Sequence, residues 1–404
     1  LGTNSIKDTG YDVANSCRFN SGSSDYLHKT PSGAGTSADL FTFSMWIKRG
    51  IISSSDRIVL FYAQSDAQNF DRISFTDADV LEWKGVRSDS QAFNLTTSQV
   101  FRDISSWYHL HFIWDSADST ADNRMRIYVN GTQVTAFGTR ANPSSGLDAI
   151  IGSAQKHSVG STGSSGTYYD GYMAEVVYLD GQELTPDGNT GEFDEDSGIW
   201  KPIDVSGLTF GNNGFYLDFE DSGDLGDDES GNGNDFAETN LAATDQSTDT
   251  CTTNFATLNP LDNFYQGATF SEGNIKLVTY NGSGKTAWST GTIGVSTGKW
   301  YWEVKVSNTG NNFDTIGFAP SVTTSASAIL GDTTDSVGWH GYNGQFRKSN
   351  SVLATLSTYT TNDILSFALD LDNNLIYVYK NGSVQNSGTG ISITAPSSVS
   401  SGFY

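Results

Sequence analysis

The sequence predicts an all-β protein built as two antiparallel β-sandwiches in tandem, and three observations carry that prediction. Short runs of alternating apolar and polar residues recur along the whole length, while no window of roughly 11 to 18 residues keeps the i, i+3, i+4, i+7 apolar spacing of a helix. The 43 glycines against 7 prolines point to many tight turns. One unit also occurs twice: WYHLHFIWD with RMRIYVNGTQV, between Trp107 and Val134, and NDILSFALDLDNN with LIYVYKNGSVQ, between Asn362 and Gln385. Each copy is a strand, a polar link, a second strand and an Asn-Gly pair. Asn130-Gly131 and Asn381-Gly382 supply the positive φ angles of a type I′ hairpin turn. A chain of 404 residues, 36% of them apolar, has material for two cores, and one core rarely grows past roughly 250 to 300 residues.

In chain order, DLFTFSMWIKRG comes first, with Phe41, Phe43, Met45 and Ile47 alternating with Thr42, Ser44, Trp46 and Lys48 as in a half-buried strand. Strand-like segments follow at Arg57 to Ala63, Arg72 to Phe75 and Val80 to Lys84. In the first hairpin unit Tyr108, Leu110, Phe112 and Trp114 fall on one face, and His109 and His111 on the other. Two imidazoles at i, i+2 can converge on a transition metal, but no third ligand stands at a telling spacing, so an exposed sheet face is the expected setting. After a Gly/Ser-rich loop, YYDGYMAEVVYLDG sets Tyr172, Ala174, Val176 and Tyr178 against Met173, Glu175, Val177 and Leu179. GFYLDFED closes this half.

Residues 221 to 258 are acidic, rich in Gly and Asn and almost without apolar side chains, which reads as a linker. The segment also carries oxygen ligands suited to calcium. Asp227, Asp228 and Asp235, with Asp170 after the Gly/Ser loop, form the candidate metal set, yet Glu229 stands where a helix-loop-helix site needs Gly. Strand character returns with NIKLVTY, GKWYWEVKVS, DTIGFAPS and SVGWHGYNGQFRKSN. The boundaries are therefore 1–220 for the first sandwich, 221–258 for the linker and 259–404 for the second sandwich.

A formal charge of −24 leaves no basic surface for a nucleic-acid backbone and is expected to repel anionic polymers. No apolar run approaches the roughly 18 residues of a membrane-spanning helix. The two cysteines, Cys17 and Cys251, are expected as free thiols. The first residue is Leu, so a processed or partial chain is expected. No nucleophile elbow or phosphate-binding loop is present, and retaining glycanase chemistry needs two carboxylates about 5 to 5.5 Å apart. Asp218 with Glu220 is the nearest approach to such a pair, and Glu175 stands alone.

SDYLHKTP, FTFSMWIKRG, WYHLHFIWD, RIYVNG and YYDGYMAEVVYLDGQELTP, in that order, resemble a laminin-G-like jelly roll of the concanavalin A type. GKWYWEVKV with NDILSFALDLDNNLIYVYKNG resembles a SPRY domain, in which a closing strand is expected beyond SGFY. The tandem is similar to structural and host-recognition proteins of bacteriophages. The resemblance implies a non-enzymatic virion surface protein, a fibre, tail or head-decoration component that binds host-cell glycans or another receptor. Its rivals are a purely architectural virion component, a polysaccharide depolymerase and a secreted adhesin. Expected partners are a host glycan, other virion proteins and a homotrimeric assembly at the virion surface or outside the cell, with no nucleic acid and no membrane insertion. No cofactor is required, calcium being the one candidate ion. Loop aromatics that could stack on sugar rings are Trp339, His340, Tyr342 and Phe346 in the second half and Tyr168 and Tyr169 in the first.

Overall fold

The computed structural model describes residues 10–52, 57–163, 167–264, 268–279, 287–309, 314–322 and 328–393. The chain forms two units: the first runs to Phe255 and includes Ser271–Lys276, and the second takes Ala256–Phe270 and the chain from Leu277 onward. The closing strand expected after SGFY lies outside the described residues.

The strands of the first unit are β1 (Ser16–Phe19), β2 (Tyr26–Lys29), β3 (Leu40–Arg49), β4 (Ile58–Asp66), β5 (Asn69–Phe75), β6 (Val80–Arg87), β7 (Ser90–Val100), β8 (Tyr108–Asp115) and β9 (Met125–Val129). They continue as β10 (Thr132–Gln133), β11 (Phe137–Ala141), β12 (Lys156–Val159), β13 (Gly171–Asp180), β14 (Glu192–Phe193), β15 (Trp200–Lys201), β16 (Phe215–Leu217), β17 (Ala237–Thr239) and β18 (Gln246–Ser247). One eight-stranded sheet runs β10-β9-β8-β3-β13-β1-β18, with β16 also on β13, and a second runs β11-β7-β6-β5-β4-β12-β2-β17. Between them lies one apolar core in which Phe41, Phe43, Trp83, Phe112 and Trp114 are buried. Each such side chain stabilises the sandwich by about 1.5 to 3 kcal/mol.

Both Asn-Gly turns form as expected. Asn130 and Gly131 take φ 46° and 74°, and Asn381 and Gly382 take 49° and 75°. The two copies even share a clasp: Asn130 Oδ1 accepts from the His109 N–H at 2.8 Å, and Asn381 Oδ1 accepts from the Ile364 N–H at 2.8 Å.

Three expectations are corrected. β3 is not half-buried, because its outer face is roofed too: Trp46 packs with Trp107, Tyr172, Trp200 and Cys251 in a second apolar layer. The regular alternation of β13 also fails. A β-bulge between Ala174 and Val177 inserts Glu175 at φ 50°, and this flips the faces. Met173, Val176 and Tyr178 therefore reach the central core, whereas Tyr172 and Ala174 face one outer cluster and Val177 and Leu179 another.

The acidic stretch up to Phe255 is not a linker either. Its few apolar residues, Leu225, Phe236 and Leu241, enter the first core, β17 extends the second sheet through β2, and β18 extends the first through β1. The first unit therefore reaches well past residue 220.

In the second unit, the strands Lys299–Lys305, Ile364–Asp370, Leu375–Lys380 and Ser383–Val384 form one antiparallel sheet in that order, with Ile391–Ser392 also on the third. A four-stranded sheet runs from Thr315–Phe318 through Val337–His340 and Gln345–Lys348 to Ser351–Thr355. Period-two alternation aims Leu365, Phe367, Leu369, Ile376 and Val378 inward, where they meet Trp339 and Phe346.

Candidate functional site

The sugar-stacking candidates of the second unit divide sharply. Trp339 and Phe346 are core residues: the Trp339 indole donates to the Ser357 carbonyl at 3.1 Å and packs edge-on to Tyr359 and Phe367. His340 is buried, its Nε2 2.9 Å from the Leu330 carbonyl, and burial lowers its pKa. Only Tyr342 stands out from the surface, at 45% exposure. The Gly-broken segment that holds them is two paired strands, Val337–His340 and Gln345–Lys348, with a turn between them, so alternate residues plug the sandwich. In the first unit Tyr169 is likewise buried, its hydroxyl donating to the carbonyls of Lys48 and Tyr172.

The four aspartates of the metal set do not come together. Asp170 accepts from the Ser21 N–H and hydroxyl, and the Asp228 carboxylate accepts from the N–H groups of Tyr216, Ser230 and Asn234, which makes it the pin of a turn. Asp227 and Asp235 border that turn. Among the described residues no three His, Cys, Asp or Glu side chains are grouped so as to hold a metal ion.

His109 and His111 are not on an exposed face. Both are fully buried beneath the segment that carries β14 and β15. His109 Nε2 meets the Ser44 hydroxyl at 2.7 Å, and His111 bridges Thr190 Oγ1 and the Leu184 carbonyl at 2.9 and 2.8 Å. Burial pushes the His111 pKa down to about 4, so neutral imidazole is the working form at pH 7.

Glu175, which the bulge turns outward, is closed off as well. It is 5% exposed, and its Oε2 accepts from the hydroxyls of Tyr216 at 2.9 Å and Tyr11 at 3.1 Å. Burial raises its pKa to about 8. Asp218, raised to about 6 by burial with help from Glu220, is the nearest thing to a partner acid, but the Glu175 carboxyl is capped by two tyrosines. Because the folded value lies above the ordinary 4.5, the native state keeps a proton that the unfolded chain has released between those two pH values. Stability from this group is then full below about pH 4.5 and is lost as the pH rises toward 8. Glu175→Gln is expected to remove that pH-dependent component, on the order of 5 kcal/mol. The check is to compare the melting temperatures of the two proteins from pH 5 to 9; parallel curves would contradict it.

The outer face of the first unit's second sheet carries a mostly polar patch whose half-buried members, His28, Gln64, Phe70, Arg72 and Lys84, stand over the buried Tyr62, Glu82, Asn94 and Ser158. Strand pairing aligns His28 on β2, Ser158 on β12, Tyr62 on β4, Arg72 on β5, Lys84 on β6 and Asn94 on β7 in one row across six strands. With neighbouring strands about 4.8 Å apart, the row is roughly 24 Å long. Above it stand Lys156, Gln64 and Phe70, and below it Ser74, Glu82 and Thr96.

This face is a set of aromatic plates with polar neighbours. The Tyr62 ring lies 5.5 Å from that of Phe70, and the Tyr62 hydroxyl donates to Gln64 Oε1 at 3.1 Å. The Arg72 guanidinium lies 5.5 Å from the Phe70 ring and donates to Glu82 at 2.7 Å, and Arg57 adds a second bond to Glu82 at 3.1 Å. Although burial opposes it, these two cations hold the Glu82 carboxyl below its ordinary range. At one margin Tyr26 packs between His28 and Tyr168, with ring separations of 5.6 and 6.3 Å. Tyr168 is thus the one first-unit aromatic singled out in the sequence that the fold brings to this face. Ser74 and Ser158 are fully buried, and their hydroxyls have no protein partner among the described residues.

Tyr62, Arg72 and Lys84 escaped sequence reasoning because the signal is spread over six strands. Alternation within a single strand marks them as outward-facing, but only the register between strands joins them.

Residues 21–187 match the family model of the concanavalin A-like lectin/glucanases superfamily, and residues 299–398 match that of the SPRY domain. No curated protein matches the chain. Among solved structures, it is similar to a heptameric SAP-like pentraxin from Limulus polyphemus at 18% identity, covering 49% of this chain and 100% of that one, with a TM-score of 0.33. Domains LG4-5 of the mouse laminin α1 chain are similar at 11% identity, over 97% of this chain and 84% of that one, with a TM-score of 0.33. The SPRY domain of human HERC1 is similar at 24% identity over 26% of this chain and 66% of that one, with a TM-score of 0.22.

Proposed function

We propose that this chain, a laminin-G-like domain of the concanavalin A type followed by a SPRY domain, is a glycan-binding protein whose ligand lies across the outer face of the second sheet. The observation that carries the reading is the row from His28 to Asn94: an aromatic ring, amides, hydroxyls and cations held in register on a rigid sheet. Sugar rings present apolar faces to aromatic side chains and hydroxyl edges to polar ones, and the half-buried Phe70 ring, backed by the buried Tyr62, offers the first while Gln64 and Thr96 offer the second. The superfamily to which the first domain's model belongs includes lectins, which supports the same reading.

The finer setting we infer is display on a virion or cell surface, where many copies would multiply a weak single-site affinity.

Calorimetry with the full chain against a panel of oligosaccharides tests the binding reading. Tyr62→Ala is expected to weaken binding about tenfold, equivalent to about 1.4 kcal/mol, measured on protein whose first unit still melts cooperatively. Equal affinity in wild type and Tyr62→Ala would remove this face from the function.

A further inference from the structure

We propose that the ligand of this face is an acidic polysaccharide, recognised through carboxylate groups on its sugar rings; the inference rests on the glycan-binding reading above. The chain as a whole is strongly anionic, at −24, yet the strands of this face carry three cations, Arg72, Lys84 and Lys156, joined through Glu82 by Arg57 just before β4, against two carboxylates, Glu82 and Asp66. Asp66 sits at the tip of the β4–β5 hairpin, at the margin of the face, where the Asn69 amide and the Gln68 N–H hold its carboxylate charged.

Those cations are not all neutralised within the protein. Glu82 draws on both Arg57 and Arg72, whereas among the described residues Lys84 forms no ion pair and the Lys156 ammonium meets the Gly163 carbonyl at 3.4 Å and the Tyr26 ring at 6.0 Å, with no carboxylate. Lys84 and Lys156 lie on strands three steps apart, roughly 14 Å across the sheet, with Tyr62 and Arg72 between them. A neutral glycan has no need of unpaired ammonium groups at both ends of its platform. A chain with a carboxylate on successive sugars meets one at each end, with an aromatic plate and a guanidinium in the middle.

The net charge of the molecule does not forbid this. At physiological ionic strength screening acts over about 8 Å, so a ligand in contact with the face is governed by the charges of that face. The distant acidic residues slow the approach of a polyanion rather than prevent its docking.

The test uses the full chain with oligogalacturonate and its methyl ester, which share a backbone and differ only in charge, together with dextran sulfate and neutral oligosaccharides. The acid is expected to bind at least tenfold tighter than the ester. Lys84→Gln should cost the acid about fivefold more than it costs the ester, Lys84→Arg should restore most of that difference, and the melting temperatures should stay constant. Equal binding of acid and ester, or binding of neutral oligosaccharides alone, would overturn this inference and leave the glycan-binding reading standing. Binding of dextran sulfate without oligogalacturonate would overturn the carboxylate assignment. Failure of every glycan to bind would overturn both readings.

Discussion

Asp249→Ala is expected to destabilise the first unit by about 3 to 5 kcal/mol, because it leaves a buried ammonium without its counter-charge. Lys48, 1% exposed on the outer face of β3, places its Nζ 2.8 Å from Asp249 Oδ2, 2.7 Å from Asn254 Oδ1 and 2.7 Å from the Phe255 carbonyl. The Trp107 indole donates to the other Asp249 oxygen at 3.0 Å. Burial pulls the Lys48 pKa down and Asp249 opposes it. This knot ties the end of the acidic segment over the sheet, so its loss should also expose residues 241–255 to proteolysis. Denaturant unfolding measures the effect, and a loss below about 1 kcal/mol would show that the knot is not what fixes the segment. The double change Lys48→Met with Asp249→Leu should be far milder than Asp249→Ala, since no charge is stranded.

Trp339→Ala is expected to cost the second unit about 3 to 5 kcal/mol through the cavity it leaves between Tyr359 and Phe367. Trp339→Phe should cost markedly less. The two outcomes separate a core role from a ligand-binding one: glycan affinity measured on the folded fraction should be unchanged by Trp339→Phe. A variant that melts like wild type but has lost binding would return Trp339 to the ligand-contacting residues.

The parts of this fold that a sequence can show are those set by local rules. Period-two strands and Asn-Gly turns are written in consecutive residues, so the hairpins ending at Asn130-Gly131 and Asn381-Gly382 were legible down to the turn type. Where one position departs from its local rule, legibility fails. Nothing in YYDGYMAEVV announces that Glu175 takes a positive φ, and that single residue reverses which neighbours meet the core. The acidic stretch misled for a related reason: three apolar residues, Leu225, Phe236 and Leu241, are too few to mark a segment as folded by composition, yet they suffice to anchor it once a core is there to receive them.

The site was less legible than the fold. Loop aromatics were the natural candidates, but Trp339, Phe346 and Tyr169 are large and apolar enough for the sandwich interiors to claim them. Conversely, Tyr62, Arg72 and Lys84 sit in strands that the sequence marks one by one, but their alignment depends on how β4, β5 and β6 pair. His109 and His111 show the same limit. Their shared face is visible in the sequence, but the segment that roofs it, reaching Thr190 and Trp200, is far along the chain.

The claim that a sugar chain rests on the outer face of the second sheet is tested most directly by a crystal structure of the full chain with the tightest-binding oligosaccharide of the panel. The account predicts density for the glycan running along the row from His28 to Asn94, with a sugar ring against Tyr62 and a charged group within reach of Lys84. Density instead at Tyr342, or anywhere away from that row while Tyr62, Arg72 and Lys84 stay uncovered, would contradict it.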